Sequence, residues 1–383
     1  MGVSVFPAAS GGGGGESTNL GGPGDFTISL AAGAYKMNNS HTTTLGETDY
    51  SAGEHFINAG EEITSASLTG EVAFTEFTPN SSDGDVARSI AYDGTTYIMV
   101  GNSGSAYYST DKLNWTVLTA LETVNSGRSQ TQIIYANGVW LVGSFSADGQ
   151  ITRSTDGLSW TNHTVVDTNR SAKFITYFRD EYWVTGEHSG TDQLSKSSDG
   201  ITWTDHVSLS TRPFSIYSDG EDLLVVTLEA RKYFFLQPLG AGQGEKTASS
   251  NTSFGFTYTF NKTASGVYVI SSGSGWVAYS NDPLSTSWTV IQPGSGTLGA
   301  VASFKGKVYL AGNGDQIISS ADGATWTVEV DNGVEYYGLS AIGNDSLFAT
   351  SQFNETKNLI IADKPDSSLA IISTLGEVTQ PNA

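Results

Sequence analysis

The chain has 383 residues, with 18 Lys and Arg against 39 Asp and Glu and a formal net charge of −21. That balance excludes the dense basic surface that a non-specific grip on nucleic acid requires, and the absence of cysteine excludes disulfides, cysteine-ligated zinc and thiol nucleophiles. With 45 glycines, 11% aromatic and only 15% charged residues, the composition describes short strands and tight turns rather than long helices.

In chain order, residues 1–70 form a segment of their own. The first ten residues carry neither a basic segment nor an apolar one, so no cleaved secretion signal is expected. Phe6 occupies the position where a myristoylated terminus needs Ser or Thr. No apolar run approaches membrane-spanning length, so no membrane insertion is expected. Five consecutive glycines at 11–15 and the G-G-P-G-D run at 21–25 read as a pliant arm. Between this arm and residue 70, D-F-T-I-S-L-A-A-G-A-Y-K-M and G-E-H-F-I-N-A-G-E-E-I read as strands of a small β module. The expected domains are therefore this Gly-rich attachment module, 1–70, and a repeat domain, 71–383.

The repeat is carried by S-x-D-G-x-x-W-T. Its copies place aspartates at Asp111, Asp156, Asp199, Asp282 and Asp322, and tryptophans at Trp115, Trp160, Trp203, Trp288 and Trp326. The tryptophans are 45, 43, 85 and 38 residues apart, so one copy between Trp203 and Trp288 has lost the signature. A second anchor, an aromatic or apolar residue just before a turn, recurs at Tyr92, Tyr135, Tyr177, Tyr217, Phe260, Phe304 and Ile342. This gives seven units. Each unit reads as four strands: a and b joined by a D-G- or N-G-like turn, c before the aspartate turn, and d after the tryptophan. Four antiparallel strands per forty or so residues make a propeller blade, so the expected fold is all-β, a β-propeller of about seven blades. Residues 71–78 resemble a d strand without its own a, b and c, and are expected to close the ring on the last blade; residues 367–374 compete for that place.

In the signature turn, Ser and Asp side chains can bond the turn amides while Gly takes the left-handed position. That account needs no metal, and no cofactor is expected. The repeat resembles the Asp-box or BNR-repeat propellers, which include sialidases, sortilin-type receptors and photosystem II assembly factors. The resemblance covers residues 71–383 and implies the propeller fold; it does not choose among enzyme, receptor and scaffold. Sialidases hold the substrate carboxylate with an arginine triad and add a Tyr–Glu nucleophile pair and an Asp acid. Here Arg88, Arg128, Arg170 and Arg212 lie just before or within a strands, Arg128 and Arg170 each seven residues before their anchors. Two readings stay open: these arginines line a pocket for an anionic glycan, or they bond carbonyls and carboxylates between blades. The R-I-P motif of that family is missing, R-P-F at Arg212 being only an echo of it, and no Tyr–Glu pair can be assigned. Phe145, Trp183 and Tyr107 are placed either to stack on sugars or to pack between blades. The P-loop-like G-A-G-Q-G-E-K-T at 240–247 has Glu245 before Lys246 and no helix after it, and reads as a surface loop.

Three functions compete. The favoured one is a bacteriophage virion protein, a tail fibre or appendage. It would be anchored to other virion proteins through residues 1–70, assembled as a homotrimer, and would display the propeller to a host-surface glycan or receptor. The alternatives are a sialidase-like glycoside-acting enzyme and a bacterial surface or scaffold propeller. No catalytic residue is assigned.

Overall fold

A computed structural model describes side chains for most of residues 86–218 and 259–351, with Leu223, Val225 and Tyr233; other strands are defined by their backbone. The chain divides into two units. The first comprises Met1–Ala73 together with Ala362–Ala383, and the second is Phe74–Ile361. In the first unit, Leu369–Ser373 pairs antiparallel with Ser17–Leu20 on one side and Gly33–Met37 on the other. The last residues thus group with the N-terminal module, although the sequence boundary had placed them with the repeats.

The second unit is built from four-stranded antiparallel sheets in the order a-b-c-d, which makes it an all-β propeller. The first sheet comprises Ala87–Tyr92, Tyr97–Gly101, Ala106–Ser109 and Thr116–Val117; the second comprises Gln130–Ala136, Val139–Ser144, Gln150–Ser154 and Thr161–Thr164. Three more of the same kind start with Ser171–Phe178, Thr257–Lys262 and Ala300–Phe304. These five blades are the ones whose four strands all carry described side chains, against the seven of the sequence count. Two further four-stranded sheets begin with Pro213–Ser218 and Gly338–Ile342, but the side chains of their outer strands fall outside the described residues. In the latter sheet the d position is taken by Ala73–Phe77, within the segment expected to close the ring.

Local chemistry explains the hairpins. The a–b loops Asn137–Gly138, Arg179–Asp180 and Lys305–Gly306 hold both residues at positive φ, the two-residue geometry whose twist suits paired strands. The b strands are buried along their whole length at Tyr97–Gly101 and Val139–Ser144, because a sheet lies on each side of them. The core consequently lies between sheets. Ile98 and Val100 of the first meet Ile133, Trp140 and Val142 of the second, and Leu141 and Ile151 of the second meet Ile175 and Val184 of the third. Phe348 packs with Ile90, Met99 and Trp115, joining the last repeat to the first. Each such side chain contributes about 1.5–3 kcal/mol by burial. Hydroxyls join the sheets as well. Ser89 Oγ accepts from Ile133 N at 3.2 Å, Ser340 Oγ accepts from Ile90 N at 3.0 Å, and Thr131 donates to the Lys173 carbonyl.

Candidate functional site

The signature turns are self-contained. In the second blade, Ser154 Oγ accepts from Gly157 N at 2.9 Å and donates to Asp156 Oδ1 at 2.9 Å. Asp156 Oδ1 also accepts from Leu158 N at 2.8 Å and Ser159 N at 2.7 Å. Trp160 Nε1 donates to the Gly157 carbonyl at 3.1 Å. The same bonds recur around Asp199 and Asp322, and in altered form around Asp111 and Asp282. The Ser159 and Leu158 amides hold the Asp156 carboxyl down to about 2. Trp115 and Trp326 donate within their own turns as Trp160 does, and Trp288 donates to Ser285. Trp203 packs against the second and third blades. Among the described residues no group of three His, Asp or Glu is arranged to hold a metal ion.

The four arginines separate. Arg128 is enclosed: its Nη1 donates to Asn125, Thr152 and Asn162 at 2.8, 3.1 and 3.1 Å, and its Nη2 to Asp148 at 2.8 Å and the Gln150 carbonyl at 3.0 Å. It holds its own blade together. Arg170 lies outside the described residues. Arg212 is exposed. Neither Arg128 nor Arg212 reaches the cavity that the a strands enclose, whereas Arg88 lines it.

This cavity, of about 210 Å³, is bordered by a strands from all around the second unit. Its wall has a simple register: Ser89, Gln132, Phe174, Phe214, Val301 and Leu339 each stand three residues before their anchor. The functional side chains come forward at irregularities of strand a. The pairing of strands a and b steps over Arg88 between Ala87 and Ser89, over Lys173 and Phe174 between Ala172 and Ile175, and over Phe214 between Pro213 and Ser215. Such bulges leave a residue outside the ladder and turn its side chain.

Arg88 donates from Nε to Asn102 Oδ1 at 2.7 Å, and among the described residues its two terminal nitrogens have no hydrogen-bond partner. Burial lowers its pKa, yet a guanidinium stays charged. Its Cζ lies 5.6 Å from the Phe145 ring centroid, and Lys173 Nζ lies 4.8 Å from the same ring. Phe145 meets Phe174 edge-on at 6.3 Å, and Phe174 meets Phe214 at 5.8 Å, forming a short aromatic row. Burial and the Glu335 carboxylate push Tyr337 up to about 12, against the pull of Arg88, so this wall residue stays a neutral hydroxyl and donates to Glu335 at 2.7 Å. The described lining contains no Asp or Glu. In a chain of net charge −21, a cavity headed by an arginine and free of carboxylates favours an anionic group.

Of the aromatic candidates, Trp183 and Tyr107 are buried in the core, while Phe145 is 37% exposed. Lys173, Phe174, Phe214 and Tyr337 were missed by sequence reasoning. The row three residues before each anchor would have found both phenylalanines; no repeat signal marks Lys173 or Tyr337.

No family model and no curated protein matches the sequence. Solved structures do. A structure of YCF48 bound to D1 peptide aligns with TM-score 0.60 at 16% identity over 75% of this chain and 95% of its own. YCF48 from Cyanidioschyzon merolae aligns with TM-score 0.58 at 14% identity over 76% and 98%. Virginiamycin B lyase from Staphylococcus aureus aligns with TM-score 0.60 at 11% identity over 76% and 98%. At these identities the likeness is one of fold, the β-propeller.

Proposed function

We propose that this chain is a non-catalytic binding propeller, displayed on a bacteriophage particle, whose cavity holds an anionic group of a host-surface glycan or receptor. The observation that carries the binding reading is Arg88. It is a part-buried cation on a bulge, tied by Nε to the neutral Asn102, and it lines a cavity whose described lining offers no carboxylate. A glycosidase reading needs two carboxylates about 5–10 Å apart across a cleft, and the described lining supplies none. The similar structures include a peptide complex and a lyase, so the fold alone favours neither binding nor catalysis. The particle reading rests on composition: an acidic, cysteine-free chain with a Gly-rich arm and a small β module ahead of a display domain. Several weak sites on one particle would add avidity.

Two measurements test this. Binding of the purified chain to an array of acidic and neutral glycans should favour the acidic ones and fall with Arg88→Ala; equal retention of neutral glycans would remove the anionic reading. Antibody labelling of particles from the source should decorate an appendage, and a chain found only free of particles would remove the virion reading.

A further inference from the structure

We infer that the ligand is a single acidic pyranose, a hexuronate unit, with its carboxylate on the Arg88 fork and the apolar face of its ring against Phe174 and Phe214. This rests on the proposed anionic ligand and narrows it to a chemical class. Three properties of the cavity select that class. The first is size: about 210 Å³ falls below the roughly 300–1,000 Å³ of pockets for drug-sized ligands, so the cavity itself has room for one ring. The second is the pairing of a cation with flat apolar walls. The terminal nitrogens of Arg88 present the two-pronged geometry that a planar carboxylate matches. Phe174 and Phe214 line the same cavity 5.8 Å apart, and aromatic faces suit the C–H side of a sugar ring.

The third property is the supply of neutral donors around the wall. Gln132 accepts from Ile175 N at 2.8 Å through Oε1, which leaves its Nε2. Asn261 accepts from Ser303 and Lys262 N through Oδ1, which leaves its Nδ2. These two amides and the Ser215 hydroxyl have no partner among the described residues, and all three border the cavity. A simple carboxylate leaves such spread donors unused, whereas the hydroxyls around a sugar ring can accept from them; a free phosphate can accept from them too, but has no apolar face to set against Phe174 and Phe214. The chain thus reads one acidic unit at a glycan end or branch rather than a length of polymer.

The test is titration calorimetry of the full-length chain with methyl glucuronoside and methyl galacturonoside. Controls are the methyl ester of each, neutral methyl glucoside, glucose 6-sulfate, a nine-carbon acidic sugar and inorganic phosphate. Expected is binding of a uronoside with at least tenfold loss for its ester and for Arg88→Ala, since a charge-assisted bond is removed. Phe174→Leu and Phe214→Leu, which keep the wall apolar, should each weaken binding about three- to tenfold. Near-ultraviolet circular dichroism checks that each variant is folded. If phosphate or the sulfate ester binds as well as the uronosides, or the phenylalanine variants change nothing, the hexuronate assignment is overturned while the anionic cavity stands. If the nine-carbon sugar binds more tightly than the uronosides, the size argument is overturned. If no anion binds, both this inference and the anionic-ligand proposal fall.

Discussion

Replacing Arg128 by alanine should cost the fold far more than replacing Arg88, although the sequence presents them as the same kind of residue. Arg128 is 7% exposed and gives five hydrogen bonds to Asn125, Thr152, Asn162, Asp148 and the Gln150 carbonyl. Truncation leaves those acceptors facing a void. Breaking a buried charged pair costs about 3–5 kcal/mol. The Asp148 side chain is 38% exposed and can rehydrate, so the lower end applies, about 3 kcal/mol. Lysine in its place offers one ammonium where a planar fork spans two groups of acceptors, and should recover less than half of the loss. Arg88 has one hydrogen bond to a neutral partner, so Arg88→Ala should cost about 1 kcal/mol or less. Urea denaturation followed by tryptophan fluorescence and far-ultraviolet circular dichroism measures both. A loss below about 1 kcal/mol for Arg128→Ala, or an equal loss for the two variants, would refute the division between a structural and a ligand-facing arginine.

Three other perturbations have definite outcomes. The Asp156 carboxyl is held near 2 in the folded chain, against about 3.9 when unfolded; its contribution is therefore complete above pH 4 and is lost as pH falls toward 2. The group is exposed, so solvent screening reduces this to about 1 kcal/mol, and Asp156→Asn should flatten the acid limb of a stability-against-pH curve by that amount; an unchanged limb would contradict it. Trp160→Ala removes a buried ring from the contact of the first two blades and should cost about 3–5 kcal/mol in the same urea assay, a loss below 1 kcal/mol showing that the ring is not a core member. Gly338→Ala puts a Cβ into the Arg88 carbonyl oxygen; since backbone must give way, a loss of about 2–3 kcal/mol is expected together with weakened anion binding, and wild-type behaviour in both would show that the two a strands are not in close approach.

The blade was legible because its determinants are local and repeated. The N-G pair at Asn137–Gly138 and the S-x-D-G-x-x-W turns each close a hairpin by themselves, so a one-dimensional pattern is enough to find them. Even the irregular first copy obeys: Lys112 stands where later copies have Gly157, Gly200 and Gly323, and adopts φ 69° beside their 71°, 72° and 75°. The fate of the last residues was not legible, because 71–78 and 367–374 both read as short apolar strands and only tertiary pairing separates them. Nor was the division among the arginines. Arg128 stands at the same distance from its anchor as Arg170 and was therefore the better repeat position, yet the neighbours that enclose it, Asn125 and Asp148, belong to connections that have no periodicity.

The site arises where the repeat is broken. In an unbroken ladder each side chain of strand a has its place set by the pleat, and the same phase meets the same surroundings in every repeat. A residue stepped over by the ladder escapes that rule. Arg88, Phe174 and Phe214 are such residues, each on a different sheet, and all three line one cavity. Glycines make room for the arrangement. A Cβ on Gly101 would strike the Val86 carbonyl, and one on Gly143 the Lys173 carbonyl, so strand b carries a glycine at or next to its end where the neighbouring backbone swings in. The glycines are visible in the sequence as the V-G steps at or next to the ends of these strands, but the extra residue opposite them is not, since a bulge changes pairing without changing composition. The regular parts of the second unit thus build a ring, and the one-residue departures in its inner strands bring a cation and two aromatic side chains to the lining of one cavity.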